Sequence, residues 1–421
     1  MRVLVLVARG LHLGYAGPYG NDWIETPALD RLAAEGVVFD RHYADVPDPA
    51  GAAHAWRTGR YRLPPPAGED EAMPAADEPD LLALLAAAGV ETVLVRKESR
   101  PLEETLAATE EELRRLADRD GWLLWVELDT LLPPWEAPEE FLLHYFDSAE
   151  DEETAEEDAE GEPLTPLTDP PAGLIDPDDD ATFLRLQRTY AGAMTYLDTG
   201  LGEFFDALRE DGTLNDVLVV FTTDHGLPLG EHGVMGLARP WLHDELIHLP
   251  LILCLPGGAE AGRRIPALTQ PVDLLPTLLA AFNLPVPAAA HGENLLPLAR
   301  REKEAVRSYA CSGLRSGDWC EWALRTPDWA FLLSVSAPPE EPPRSPQLYG
   351  KPDDRWEVNN VVQHHLETAD HLERVLRGFA EASRRPGPLA PPGLHEAAAD
   401  PEVVGKECSP HAEREGPSRG A

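Results

Sequence analysis

Uninterrupted apolar runs are the feature that most limits how this chain can fold. They recur as "VLVLVA" (3–8), "GWLLWVELD" (121–129), "DVLVVFTTD" (216–224) and "LPLILCLPG" (249–257). A strand without polar alternation has no face to give to water, so both its faces must be covered. Helical segments lie between these runs. In "TPALDRLAAEGVVFD" (26–40), Thr26 is placed to cap a helix and Pro27 suits its first position. Leu29, Leu32 and Ala33 form its apolar stripe, and Gly36 ends it before "VVF". "DLLALLAAAGVETVLVRK" (80–97) repeats the order helix, glycine stop, strand, and 183–212 is a long amphipathic helix ended by glycine. The alternation predicts an α/β fold with a mostly parallel sheet.

A chain of 421 residues is long for one simple core, so a large and a small domain are expected. The large one is read as 1–300. Within it, 147–180 is acidic and then proline-rich, and is expected to be a disordered insertion. Residues 301–385 change rhythm to "SYACS", "CEWALRT" and "WAFLLSV", short antiparallel strands, with "RTPDW" as a turn and a helix over 364–383. Residues 386–421 read as a disordered tail.

Acidic residues number 75 against 35 basic, a net charge of −40. Such a surface repels nucleic acid and anionic membranes, so neither is an expected partner. Cys254, Cys311, Cys320 and Cys408 are scattered without a CxxC pair, and nothing demands a disulfide. The first apolar run is too short to span a membrane and has no cleavage-like site, so a soluble, cytoplasmic protein is expected.

"FTTDHGLPLGEHG" (221–233) carries the chemistry. It puts Asp224 beside His225 where a buried strand emerges, with His232 soon after. Together with "YGNDWIETPALDRLAAEGVVFDRHYA" (19–44), "TGRY" (58–61), "QPVDLLPTLLAAFNLPVP" (270–287) and "LYGKPDDRWEVNNV" (348–361), it resembles the sulfatase family of the alkaline phosphatase superfamily, in its bacterial branch. The resemblance covers most of residues 1–375. It implies a large mixed, mostly parallel sheet between helix layers, followed by a small antiparallel sheet with a helix. It also implies metal ligands from two strand-end turns, a formylglycine made from a Cys or Ser in a Cys/Ser-x-Pro-x-Arg segment, and Lys and His groups on the sulfate.

Set against that pattern, only one turn is whole. Asp224 and His225 match the metal-binding pair, but a hard ion wants six or more oxygen ligands. Aligned on "GPYG", Arg9 takes the place of the first metal-binding aspartate, and no acid lies between Met1 and Asp22. A guanidinium offers no acceptor and is always charged. Counting back from "TGRY", the nucleophile position falls on Pro49, the proline on Gly51 and the arginine on Ala53; no Cys, Ser or Thr lies between Asp45 and Arg57. His54 is read as a solvated histidine. The lysine of the next motif corresponds to Lys97, but its histidine falls on Ser99, another histidine on Leu132, and a downstream lysine near Leu237, with Arg239 close by.

The set predicts a sulfatase-like protein that has lost sulfate-ester hydrolysis. No catalytic residue is assigned. Lys97, Arg9, Arg239 and His232 are candidates to bind a small anion, and Asp224 and His225 are an insufficient metal pair. No cofactor is expected, with calcium or magnesium required only if the site works. Two other readings stay open: an ester hydrolase with an altered site, in which His225 or His232 activates water, and an interaction protein docking through the acidic insertion. Three structural expectations follow. Arg9 should lie against Asp224 as its counter-charge, Trp56 and Trp135 either fill vacated space or serve simply as packing, and His243 and His248 should be structural.

Overall fold

The computed structural model describes residues 1–69, 78–96, 101–146, 164–176 and 178–394. Strands β1 (Arg2–Ala8), β2 (Val37–Tyr43), β3 (Glu91–Val95) and β4 (Trp122–Leu128) belong to the large sheet. Helices α1 (Pro27–Glu35), α2 (Pro49–Thr58), α3 (Leu81–Ala87) and α4 (Leu102–Leu116) connect them. After α5 (Glu139–Leu143) and the two-residue β5 (Gly173–Leu174), the 31-residue α6 (Asp180–Glu210) leads into β6 (Val217–Thr222). The sheet is finished by β8 (His248–Leu249), β9 (Leu251–Cys254) and β10 (Arg263–Thr269), while β7 (Val234–Met235) pairs with β5.

The sheet order is β10-β2-β9-β6-β1-β4-β3, with β8 on β2. All pairings are parallel except those of β8 and β9, so the sheet is mixed and mostly parallel. The apolar runs are buried on both sides. Leu4, Leu6, Leu124, Val219 and Phe221 join the core under α1, α4 and α6. Their neighbours Val3, Val5, Leu123, Trp125, Leu218 and Val220 join the core under α2, α3 and the helix α7 (Leu274–Ala281). This is the period-2 division of a strand sandwiched between helix layers.

A second, four-stranded antiparallel sheet follows: β11 (Ala310–Ser316), β12 (Trp319–Arg325), β13 (Trp329–Ser336) and β14 (Gln347–Gly350). One face packs on α8 (Leu366–Ser383), through Leu324, Phe331, Leu372 and Leu376. The other face packs on Tyr43, Leu246 and Leu249 of the large sheet's side. Cys311 and Cys320 are free thiols on adjacent strands, as is Cys254 on β9.

Three sequence expectations need correction. Thr26 does not cap α1: its Oγ1 accepts the Gly17 N–H at 2.9 Å. The cap comes from α6, whose Asp198 carboxylate accepts Ala28 N–H at 2.9 Å and Leu29 N–H at 3.0 Å. Burial pushes the Asp198 carboxyl up to about 6, against the pull of those two N–H groups. The acidic insertion is also shorter than read. Residues 147–163 and 177 lie outside the described residues, but 164–176 are packed. There, Trp135 N–H donates to Thr168 O and Leu167 N–H donates to Thr189 Oγ1, while β5 pairs with β7. The tail begins later as well: Tyr309 O–H donates to Pro392 O, Leu389 packs on the small sheet's core, and only 395–421 lies outside the described residues. Prolines hid both segments from a reading based on composition. Proline lacks one donor, yet it does not prevent a loop from docking through carbonyls and neighbouring N–H groups.

Replacing Asp198 by Ala removes the cap of α1 and is expected to cost about 1–2 kcal/mol, read as a lower urea midpoint at unchanged m-value.

Candidate active site

Asp224 and Arg9 meet because β1 and β6 are parallel neighbours in register, Val7 beside Thr222. Both chains leave the sheet at its C-terminal edge, where open α/β sheets place ligands. Asp224 is 2% exposed. Arg9 Nε donates to its Oδ2 at 2.9 Å, and Arg9 Nη1 donates to Asp129 Oδ1 at 2.8 Å. Asp129 stands just past β4, on the other side of β1. The remaining Asp224 oxygen accepts the backbone N–H of His225 at 2.9 Å and of Gly10 at 3.3 Å. Burial works against the Arg9 charge, but the two carboxylates outweigh it and hold the guanidinium above its usual range. The expected pairing of Arg9 with Asp224 is therefore present, and Asp129 is a third member that sequence reading missed. Its signal was its place as the last residue of "GWLLWVELD", next to β1.

Gly10 explains why the turn takes this shape. It has φ of 73°, and a Cβ there would lie 2.6 Å from Leu132 Cδ2 and 3.3 Å from Leu131 O. Leu132 thus closes over the turn as an apolar lid. Pro49 and Ala53 on α2 face Asp224 and Arg9 across a cavity of only about 20 Å³, shared with Trp56, Arg96 and Glu127. That is room for about one water. Trp56 packs on Trp125 with ring centroids 5.2 Å apart, so it does occupy this region. Trp135 does not: it packs on Tyr190 in the core and donates its indole N–H to Leu131 O. Burial raises the Glu127 carboxyl, while Arg96, 3.1 Å away, pulls it down.

A hard divalent ion does not fit these residues. Arg9 Nε takes the Asp224 Oδ2 that an ion would need, and among the described residues no three His, Cys, Asp or Glu side chains are grouped to hold one. His225 is buried, and its Nδ1 lies 2.8 Å from Gly226 O, with Nε2 3.8 Å from Asp224.

The other candidates do not converge here. Lys97 lies outside the described residues. Arg239 stacks over Trp241 at 4.2 Å, so it does not replace the lysine near Leu237. His54 borders a separate cavity beside Arg60 and Arg62 and is partly buried rather than solvated, with its pKa lowered chiefly by burial. His232 belongs to another cleft, where its Nδ1 lies 2.6 Å from Glu245 and its ring stacks on His243 at 3.8 Å. Burial opposes the charge of His232, but Glu245 prevails and lifts it to about 9. His243 is 2.8 Å from Glu357, and His248 Nε2 is 2.8 Å from Asp40 O.

Comparison with known proteins fits this geometry. A model of the Sulfatase family matches residues 122–284. A multifunctional alkaline phosphatase superfamily protein, PehA of Trinickia caryophylli, is 32% identical over 126 residues, 30% of this chain and 24% of that protein. Arylsulfatase K of Gallus gallus is 28% identical over 207 residues, 46% of this chain and 37% of its own. The chain therefore spans well under half the length of these relatives. Among solved structures, a putative sulfatase, yidJ, from Bacteroides fragilis superposes with a TM-score of 0.71 at 17% identity, covering 91% of this chain and 96% of that one. A phosphonate monoester hydrolase of Agrobacterium radiobacter reaches 0.66 at 19% identity, over 91% and 96%. The fold is that of the alkaline phosphatase superfamily. Within it, residues 122–284 are similar to the sulfatase family.

Removing Arg9 leaves a buried carboxylate without its counter-charge, so Arg9→Ala is expected to cost about 3–5 kcal/mol by urea denaturation. His232 gives a pH signature. Its folded pKa is raised, so its contribution is full below about 6.5 and is lost as pH rises through about 9. A plot of urea midpoint against pH should fall between these values in the wild type and flatten in His232→Gln.

Proposed function

We propose that this sulfatase-like protein no longer hydrolyses sulfate esters, and that Arg9 serves as a built-in cation in place of the divalent metal. The observation that carries the reading is the 2.9 Å bond from Arg9 Nε to Asp224 Oδ2. Family chemistry needs three things here: a metal to neutralise the transferring group, a nucleophile in line with the leaving oxygen, and space for the substrate. Arg9 stands where a ligand is needed. Pro49 stands at the nucleophile position and offers neither hydroxyl nor thiol. The cavity of about 20 Å³ between them does not admit a sulfate ester. A guanidinium can neutralise a carboxylate permanently, but it cannot deliver a lowered-pKa water or bridge to substrate oxygens as an ion does. What remains is the scaffold, with its strand-end turn held closed by an ion pair.

The test joins activity with stability. The purified full chain should show no turnover of 4-nitrophenyl sulfate beyond that of Asp224→Ala, and its melting temperature should not move with millimolar calcium or magnesium. Arg9→Asp restores an acceptor beside Asp224 and Asp129, and its melting temperature should rise with calcium. Wild-type turnover abolished by Asp224→Ala, or wild-type stabilisation by either ion, would overturn the proposal.

A further inference from the structure

A larger cavity, of about 640 Å³, lies between the large and small sheets and does not include Arg9 or Asp224. Its volume is typical of a small-molecule site (roughly 300–1,000 Å³). The charged groups of its wall are nearly all committed. Glu231 is 2.9 Å from His12 Nε2, Glu245 pairs with His232, and Asp40 pairs with Arg264. Glu357 and Asp244 share Arg325 and Lys351, and Arg355 donates to Tyr19 O. Arg41 is the exception. It is half-buried on β2, and among the described residues its guanidinium makes no hydrogen bond or ion pair. Strand alternation puts it on the same face as Tyr43, two residues on. The rim facing it carries Trp356, 56% exposed, and Val358, 72% exposed.

An unpaired cation inside a cavity, in a chain of net charge −40, is an open acceptor for an anion. Trp356, with Arg355 4.9 Å from its ring, is the exposed ring that offers surface for a flat apolar body. The charge of that body is limited too. Among the described residues Arg41 alone of the wall's guanidinium groups makes no hydrogen bond, Arg355 being held by Tyr19 O, and Asp244, Glu245 and Glu357 line the same space, so a dianion would meet more repulsion there than a monoanion. We infer that this cleft binds a small organic monoanion, a carboxylate on a flat apolar body, with Arg41 receiving the carboxylate in bidentate fashion and Trp356 covering the body. The site is independent of the lost sulfatase chemistry, because it uses none of the residues around Asp224.

The experiment is calorimetric titration of the full chain with three probes: 1-naphthoate, the neutral 1-naphthamide and the dianionic 1-naphthyl phosphate. Naphthoate should bind at one site per chain, about tenfold or more tighter than naphthamide, the equivalent of about 1.4 kcal/mol, and tighter than naphthyl phosphate. Arg41→Gln should remove the preference for naphthoate over naphthamide, and Arg41→Lys should keep part of it. Trp356→Ala should weaken both ligands alike. Among the described residues Arg41 has no partner to lose, so circular dichroism of the variants should match wild type. The proposal is overturned by any of three results: no saturable binding of naphthoate at millimolar concentration, an undiminished naphthoate preference in Arg41→Gln, or tighter binding of naphthyl phosphate.

Discussion

A carboxylate that is 2% exposed at the end of a central strand must be neutralised by something. The identity of its partner decides what this fold can do. With an ion as partner, Asp224 would take part in coordination open to substrate. With Arg9 as partner, the charge is balanced by a side chain of the adjacent strand, reached without any ligand. The register that sets Val7 beside Thr222 makes the pairing local and permanent. Asp129 then follows: β4 is the other parallel neighbour of β1, so its strand end delivers a second acceptor to the same guanidinium. The result is a row of strand ends, β6, β1 and β4, joined by one arginine across the C-terminal edge of the sheet.

The closing of that edge is carried by apolar packing as much as by charge. Gly10 has no side chain to hold Leu132 away, and Leu132 settles within contact of the turn. On the other side, Pro49 and Ala53 present only small hydrocarbon surface from α2, and Trp56 fills the space beneath them. A polar or charged group at these positions would demand water or a ligand to satisfy it. Leucine, proline and alanine demand nothing, so the cavity shrinks until about one water remains.

The sheet and the Arg9–Asp224 pair were legible in the sequence for different reasons. Continuous apolar runs such as "VLVLVA" have one sensible environment, whereas the pair came from the family resemblance, which aligns Arg9 and Asp224 with two turns of one site. Asp129 was legible in place but not in partner, because strand order cannot be read from apolar runs alone. The cap of α1 was misread for a similar reason. Thr26 is the correct residue type at the correct position, yet Asp198, 170 residues away, reaches the same N–H groups with a charged acceptor, which binds them more strongly than a hydroxyl. The cleft holding Arg41 left no signal at all. It arises from how the small sheet seats on the large one, and a lone Arg in "FDRHY" is indistinguishable from a surface arginine until that seating is known.

The "GEHG" motif is held by contacts that do not involve Asp224. Glu231 accepts the Leu229 backbone N–H at 2.8 Å and lies 2.9 Å from His12, just beyond the turn that carries Arg9. His232 pairs with Glu245 and stacks on His243, which in turn is held by the fully buried Glu357 from the far end of the chain. Arg325 of β12 ties Glu357 to Asp244 and so fastens the small sheet to the large one. Taking out one member would leave a buried charge unpaired, which is costly whether or not the protein is an enzyme. The motif that most suggests catalysis in the sequence is thus held in place by its work as a structural joint. Arg9 and Pro49 stand outside that joint, at the cavity beside Asp224. A motif built into such a joint therefore identifies the scaffold, and the reaction has to be judged from residues the scaffold can do without.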